Sequence, residues 1–142
     1  MKRTLVALVG MLVVGLGAAS AQISVPVAFT LDSPFIVGQV TLPAGSYVIR
    51  LTDDLNVLEI RERSNQAGVF VLVEQTASIK RAANTEVVFN QYGKKLVLKS
   101  VVVGGTMSGA EIPTSPLEKS ARKDYGAAIR VILPATIVQK KA

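Results

Sequence analysis

Thr85-Glu86-Val87-Val88-Phe89-Asn90-Gln91-Tyr92-Gly93-Lys94-Lys95-Leu96-Val97-Leu98-Lys99-Ser100-Val101-Val102-Val103 is two apolar runs joined by a two-residue hinge. Valine, which packs well on a pleated surface, recurs in both arms, joined by Phe89 and Tyr92 in the first and by Leu96 and Leu98 in the second. Gly93-Lys94 sits where a tight turn would join them. The stretch predicts an antiparallel hairpin, Thr85 to Tyr92 with Lys95 to Val103, ended by Gly104-Gly105.

The same grammar runs outward in both directions. Short apolar runs alternate with turn residues at close spacing, the pattern of an all-β sandwich or barrel. Upstream, Ile23 to Thr30 reads as a first strand, with Pro26 placing it at an edge or bulge. Asp32-Ser33-Pro34 turns the chain into Phe35 to Leu42, interrupted at Gly38. Pro43-Ala44-Gly45 has the chemistry of a tight turn, Pro fixing one φ and Gly free to take φ > 0. Ser46 to Thr52 then sets Tyr47, Ile49 and Leu51 on one face and Arg50 on the other. After Asp53-Asp54, the run Val57 to Arg63 alternates Leu58 and Ile60 with Glu59 and Arg61, a half-buried strand. Ser64 to Gly68 is a turn, and Val69 to Val73, apolar throughout, predicts a strand covered on both faces. Ala77 to Asn84 reads as a loop or a helical turn. Thr106 to Ile112 reads as a short strand, and Ala127 to Val138 as the last strand, bulged or ended at Pro134.

One helix interrupts this pattern. Ser115-Pro116-Leu117-Glu118 joins an N-cap serine, a proline at the first helical position and a glutamate three after the cap. Leu117, Ala121 and Tyr125 share one face, Glu118 can pair with Arg122, and Gly126 supplies the stop. The expected fold is one antiparallel β-sandwich or barrel-like domain of seven to nine strands, with a helix at about 116–125.

The N-terminus reads as an address. Met1-Lys2-Arg3 is basic, Leu5 to Ala19 is apolar or glycine, and Ala19-Ser20-Ala21 offers small residues to a peptidase. This is the order of a secretory signal peptide over residues 1–21, leaving residues 22–142 as the domain, in the periplasm or outside the cell. Cleavage would remove two of the 16 basic residues and none of the 10 acidic ones, so the mature charge is +4.

Val25-Pro26-Val27-Ala28-Phe29 and Leu42-Pro43-Ala44-Gly45-Ser46-Tyr47 resemble the opening strand and first turn of a family of small secreted bacterial β-rich proteins. Phe89 with Tyr92-Gly93, and Ile112-Pro113 with Ser115 leading to Glu118, extend that resemblance across most of the mature chain. It implies a secreted β domain and marks Pro43, Gly45, Tyr47, Tyr92, Gly93, Ser115 and Glu118 as structural motif residues. It supplies no activity. Lys94, Lys95, Leu96 and Val97 stand where such proteins tend to carry aromatics.

Composition narrows the chemistry. The 142 residues include no cysteine and no histidine, which removes disulfides, thiol and imidazole nucleophile pairs and the usual transition-metal ligands. No catalytic, cofactor or metal residues are assigned. Asp53-Asp54 reads as a solvated turn. Glu59 and Glu62 fall on opposite faces of a strand and cannot share a cleft. The basic pairs Lys80-Arg81, Lys94-Lys95, Arg122-Lys123 and Lys140-Lys141 are scattered, and aromatics make up 5%, so nucleic acid is not an expected partner. The leading expectation is a secreted, non-enzymatic interaction or structural module. Its partner would be a protein or a second copy, met through an open edge on Val69 to Val73, Leu96 to Val103 or Ala127 to Val138. A weak contact with acidic glycan goes with the basic charge. The alternatives are a glycan-active or polysaccharide-binding protein using surface carboxylates and a small outer-membrane barrel. Apart from that barrel, no membrane span is expected after cleavage.

Overall fold

The structure, a computed structural model, describes residues 26–52, 56–64, 68–77 and 82–138. The leader expected over residues 1–21 and the turn expected at Asp53-Asp54 lie outside the described residues. Along the chain run β1 (Val27–Leu31), β2 (Phe35–Val37), β3 (Val40–Leu42), β4 (Gly45–Leu51), β5 (Val57–Glu62) and β6 (Gly68–Leu72). There follow β7 (Glu74–Ala77), β8 (Glu86–Tyr92), β9 (Lys95–Val102), β10 (Ser108–Glu111), α1 (Pro116–Tyr125), β11 (Ile129–Pro134) and β12 (Thr136–Ile137).

The strands form two sheets. One has the order β12-β1-β4-β5-β6; the other runs β11-β8-β9-β10-β7, with the β2–β3 hairpin attached to β9. Every pairing is antiparallel except β2 with β9, at Phe35 opposite Leu96 and Ile36 opposite Val97. The fold is therefore the expected all-β sandwich with one helix.

Twelve segments appear among the described residues because three continuous runs bend. Gly38, at φ +58°, folds 35–42 into a hairpin. At Val73 the chain leaves one sheet as β6 and enters the other as β7. At Ala135, just after Pro134, it passes back as β11 becomes β12. These two crossings stitch the sheets together at both sides. The bends leave two edge-strand pairs, β6 with β7 and β11 with β12, at the ends of the two orders.

Between the sheets lies an aromatic knot. Phe29, Phe35, Tyr47 and Phe89 are all buried. Tyr47 meets Phe35 edge-to-face at 5.0 Å and stacks on Phe29 at 5.9 Å, while Phe89 meets Phe29 and Phe35 edge-on at 6.0 and 5.8 Å. Such offset and edge contacts are worth about 0.5–1.5 kcal/mol each beyond burial. Ile49, Leu58, Ile60, Val87, Leu98 and Val101 complete the layer. On this point the period-2 reading of Ser46 to Thr52 holds: Tyr47, Ile49 and Leu51 face in and Arg50 faces out.

The hairpin forms where the sequence places it. Gly93 takes φ +59°, closed to most side chains. Gly45 does not need that freedom, contrary to expectation: its φ is not positive, and it pairs with Leu31 at the start of β4.

α1 packs on the outer face of the second sheet, over Ile36, Tyr92 and Val97. The packing residues differ from those expected. Ala121 is buried, but Leu117 and Tyr125 remain 39% and 53% exposed, and the other buried residue is Glu118. The helix meets the sheet one residue round from its apolar line.

Candidate interaction edge

β6 ends its sheet. Among the described residues it pairs with β5 alone, in the register Arg61–Gly68, Glu59–Phe70 and Val57–Leu72. This corrects the expectation that Val69 to Val73 is covered on both faces. Val69 and Val71 turn inward and are half-buried, whereas Phe70 and Leu72 are 65% and 69% exposed.

The ladder also fixes which backbone groups are free. Val73 donates its N–H to the Asn56 carbonyl at 2.7 Å. Since antiparallel pairs alternate, Val71 and Val69 also turn their amides toward β5, and Gly68, Phe70 and Leu72 turn theirs away. The residues with exposed apolar side chains are thus the residues with outward backbone donors and acceptors. That combination is a template for another strand. The β2–β3 turn supports the edge from inside, where a Cβ on Gly38 would stand 3.5 Å from Val71 Cγ2.

Behind the edge sits a charge cluster. Glu59, 3% exposed, lies between Arg50 on β4 and Phe70 on β6. Arg50 donates Nε and Nη2 to Glu59 Oε2 at 2.9 and 2.8 Å, and Arg61 pairs with Oε1. Burial by itself pushes the Glu59 carboxyl up, but the Arg50 hydrogen bond and charge, with those of Arg61, outweigh it and hold the group below its ordinary value. Two half-exposed guanidiniums share this one carboxylate, so the cluster carries a surplus positive charge. Periodicity put Glu59 on a solvated face; there it sits between Arg50 and Phe70 on the neighbouring strands, with both Arg50 and Arg61 bonded to its carboxylate. The only signal for this in the sequence was Arg50 and Arg61, both on that face.

No protein-family model, curated protein or solved structure matches this chain.

The motif residues occupy structural positions away from that edge. Tyr47 donates its hydroxyl to the Pro43 carbonyl at 2.6 Å, bracing the turn that precedes β4. The device resembles the tyrosine corner of other sandwiches, in which a phenol reaches backbone a few residues upstream. Burial, then the nearby Glu62 charge, raises the Tyr47 phenol above its usual value. Ser115 caps α1 by accepting the Glu118 N–H at 3.2 Å. The Glu118 carboxylate turns inward to the sheet: Oε1 accepts from Tyr92 Oη at 2.9 Å and Asn90 Nδ2 at 3.0 Å, and Oε2 lies 3.6 Å from Lys99 Nζ. Gly93 leaves room for Tyr125, whose ring would come within 2.6 Å of a Cβ there. Tyr92, Gly93, Ser115 and Glu118 therefore work as one clasp for the helix.

Surface depressions are open. Two of them measure about 650 and 550 Å³; Glu86 is the one carboxylate lining the first, and the second is lined by none. Glu59 and Glu62 lie on opposite sides of their sheet, the first against Arg50 and the second beside Tyr47 and Gly45. Among the described residues, no three carboxylates gather as a metal site, and no helix is long and apolar enough to cross a membrane.

Proposed function

We propose that this chain is an exported, non-enzymatic interaction module that binds a protein partner by strand addition along β6. The observation that carries the reading is the coincidence, at Phe70 and Leu72, of exposed apolar side chains with outward-facing backbone groups. Main-chain bonds along such an edge supply affinity, and alternate side chains supply choice of partner. Export rests on the basic start, apolar run and Ala19-Ser20-Ala21 of the leader. The clasped helix and the stitched sheets give the edge a rigid support.

Leu72→Pro tests the proposal, because it deletes one outward N–H without touching the ladder to β5. Immobilised mature chain, residues 22–142, is exposed to solubilised envelope from the producing cells. Retention of a defined protein by the wild type, and its loss with both Leu72→Pro and Phe70→Lys, supports the reading. Equal retention by all three chains overturns it.

A further inference from the structure

We infer that the segment recognised by β6 is an extended peptide carrying an acidic residue beside Gly68 and apolar residues beside Phe70 and Leu72. The inference rests on the strand-addition reading and specifies its partner.

Three rungs cross the outer face. Along the first, Val48, Arg61 and Gly68 lie side by side; along the second, Arg50, Glu59 and Phe70; along the third, Val57 and Leu72. Gly68 is the only residue of β6 without a side chain, and Arg61 fills its place. Arg61 Nε lies 3.8 Å from where a Cβ on Gly68 would stand. The guanidinium thus lies beside the gap that Gly68 leaves in the edge strand, while Nη2 holds Glu59. Adjacent strands are about 4.8 Å apart, so an added strand would lie roughly 10 Å from β5, within the joint reach of an arginine and a glutamate.

The charge is available as well as near. Glu59 offers one negative charge to two guanidiniums, and Arg61 is 46% exposed. A carboxylate on the added strand would complete that pairing at Gly68. Two residues further along, the added strand meets Phe70, and two beyond that Leu72. The pattern selected is therefore acid-x-apolar-x-apolar in a parallel added strand and apolar-x-apolar-x-acid in an antiparallel one. A second copy of β6 does not supply it: an antiparallel pair centred on Phe70 brings Leu72 opposite Gly68, and one centred on Val71 would need Glu74, which has already left this sheet for β7, where it pairs with Glu111.

Random extended heptapeptides displayed on phage and selected against the mature chain test this directly. The expected winners share an acidic residue two positions from an apolar one. A synthetic winner should bind about three- to fivefold more tightly than its glutamine analogue, the range of an exposed ion pair, and the difference should shrink at high salt. Arg61→Gln should abolish that difference while retaining apolar selection, and Arg61→Lys should restore part of it. Winners with no acidic preference, or one indifferent to Arg61→Gln, overturn the inference but leave strand addition standing. Winners indifferent to Leu72→Pro, or no winners at all, overturn both. Elution of the mature chain as a dimer that Phe70→Lys dissociates replaces this partner by a second copy.

Discussion

Phe70 stands directly across the β5–β6 rung from Glu59, and the exposed ring neighbours a carboxylate that is almost wholly buried. A hydrophobic edge and an ionic cluster are thus built from one row of the sheet. The arginines let the glutamate be buried, and the glutamate holds one of those arginines over Gly68.

Glu59→Gln should lower stability by about 1–2 kcal/mol at neutral pH, a discounted buried-pair value because both arginines are half-exposed. The folded carboxyl lies below its ordinary value, so its stabilisation is present above about pH 4.3 and fades as pH falls through the folded value. Wild type and variant should therefore differ in urea unfolding at pH 7 and converge in acid. A constant gap from pH 7 to pH 3 would contradict the ion-pair account.

The clasp on α1 gives a second expectation. Glu118→Ala strands Tyr92, Asn90 and Lys99 and should cost about 2–3 kcal/mol, while Tyr92→Phe costs about 1 kcal/mol. Burial, then the hydrogen bond to Glu118 and its charge, raises the Tyr92 phenol. Its stabilisation is full below the ordinary phenol value, about 10, and is lost as pH rises through the folded value. Tyr92→Phe should flatten that alkaline decline, read by unfolding between pH 9 and pH 11.

Tyr47 separates hydrogen bonding from packing. Tyr47→Phe keeps the ring in the aromatic knot and loses only the bond to Pro43, about 1 kcal/mol. Phe89→Ala opens a cavity against Phe29 and Phe35 and should cost about 3–5 kcal/mol. Comparable losses in the two variants would mean that the knot is loosely packed.

Much of this architecture was legible in the residues. Tyr92-Gly93-Lys94 specified the hairpin because a tight turn needs a residue free to take positive φ. Ser115-Pro116 specified the start of α1, since a cap and a fixed φ are local chemistry. Inward alternation at Tyr47, Ile49 and Leu51 specified a core face. What composition could not reveal was sheet order. Val69 to Val73 looks identical to a central strand, because both faces are apolar in either case. Only the crossing at Val73 makes it an edge. Glu118 and Glu59 were readable as polar positions but not as buried ones, since their partners arrive from distant strands. The β6 edge was thus a possibility in the sequence, and its particular residues were not.

Residue-resolved amide exchange on a chain of residues 22–142 at low micromolar concentration tests the open edge most directly. The account predicts alternation: slow exchange at Val69, Val71 and Val73, whose amides face β5, and fast exchange at Gly68, Phe70 and Leu72. Uniform protection across Gly68 to Val73 in the isolated monomer would mean that this edge is already covered, and would contradict it.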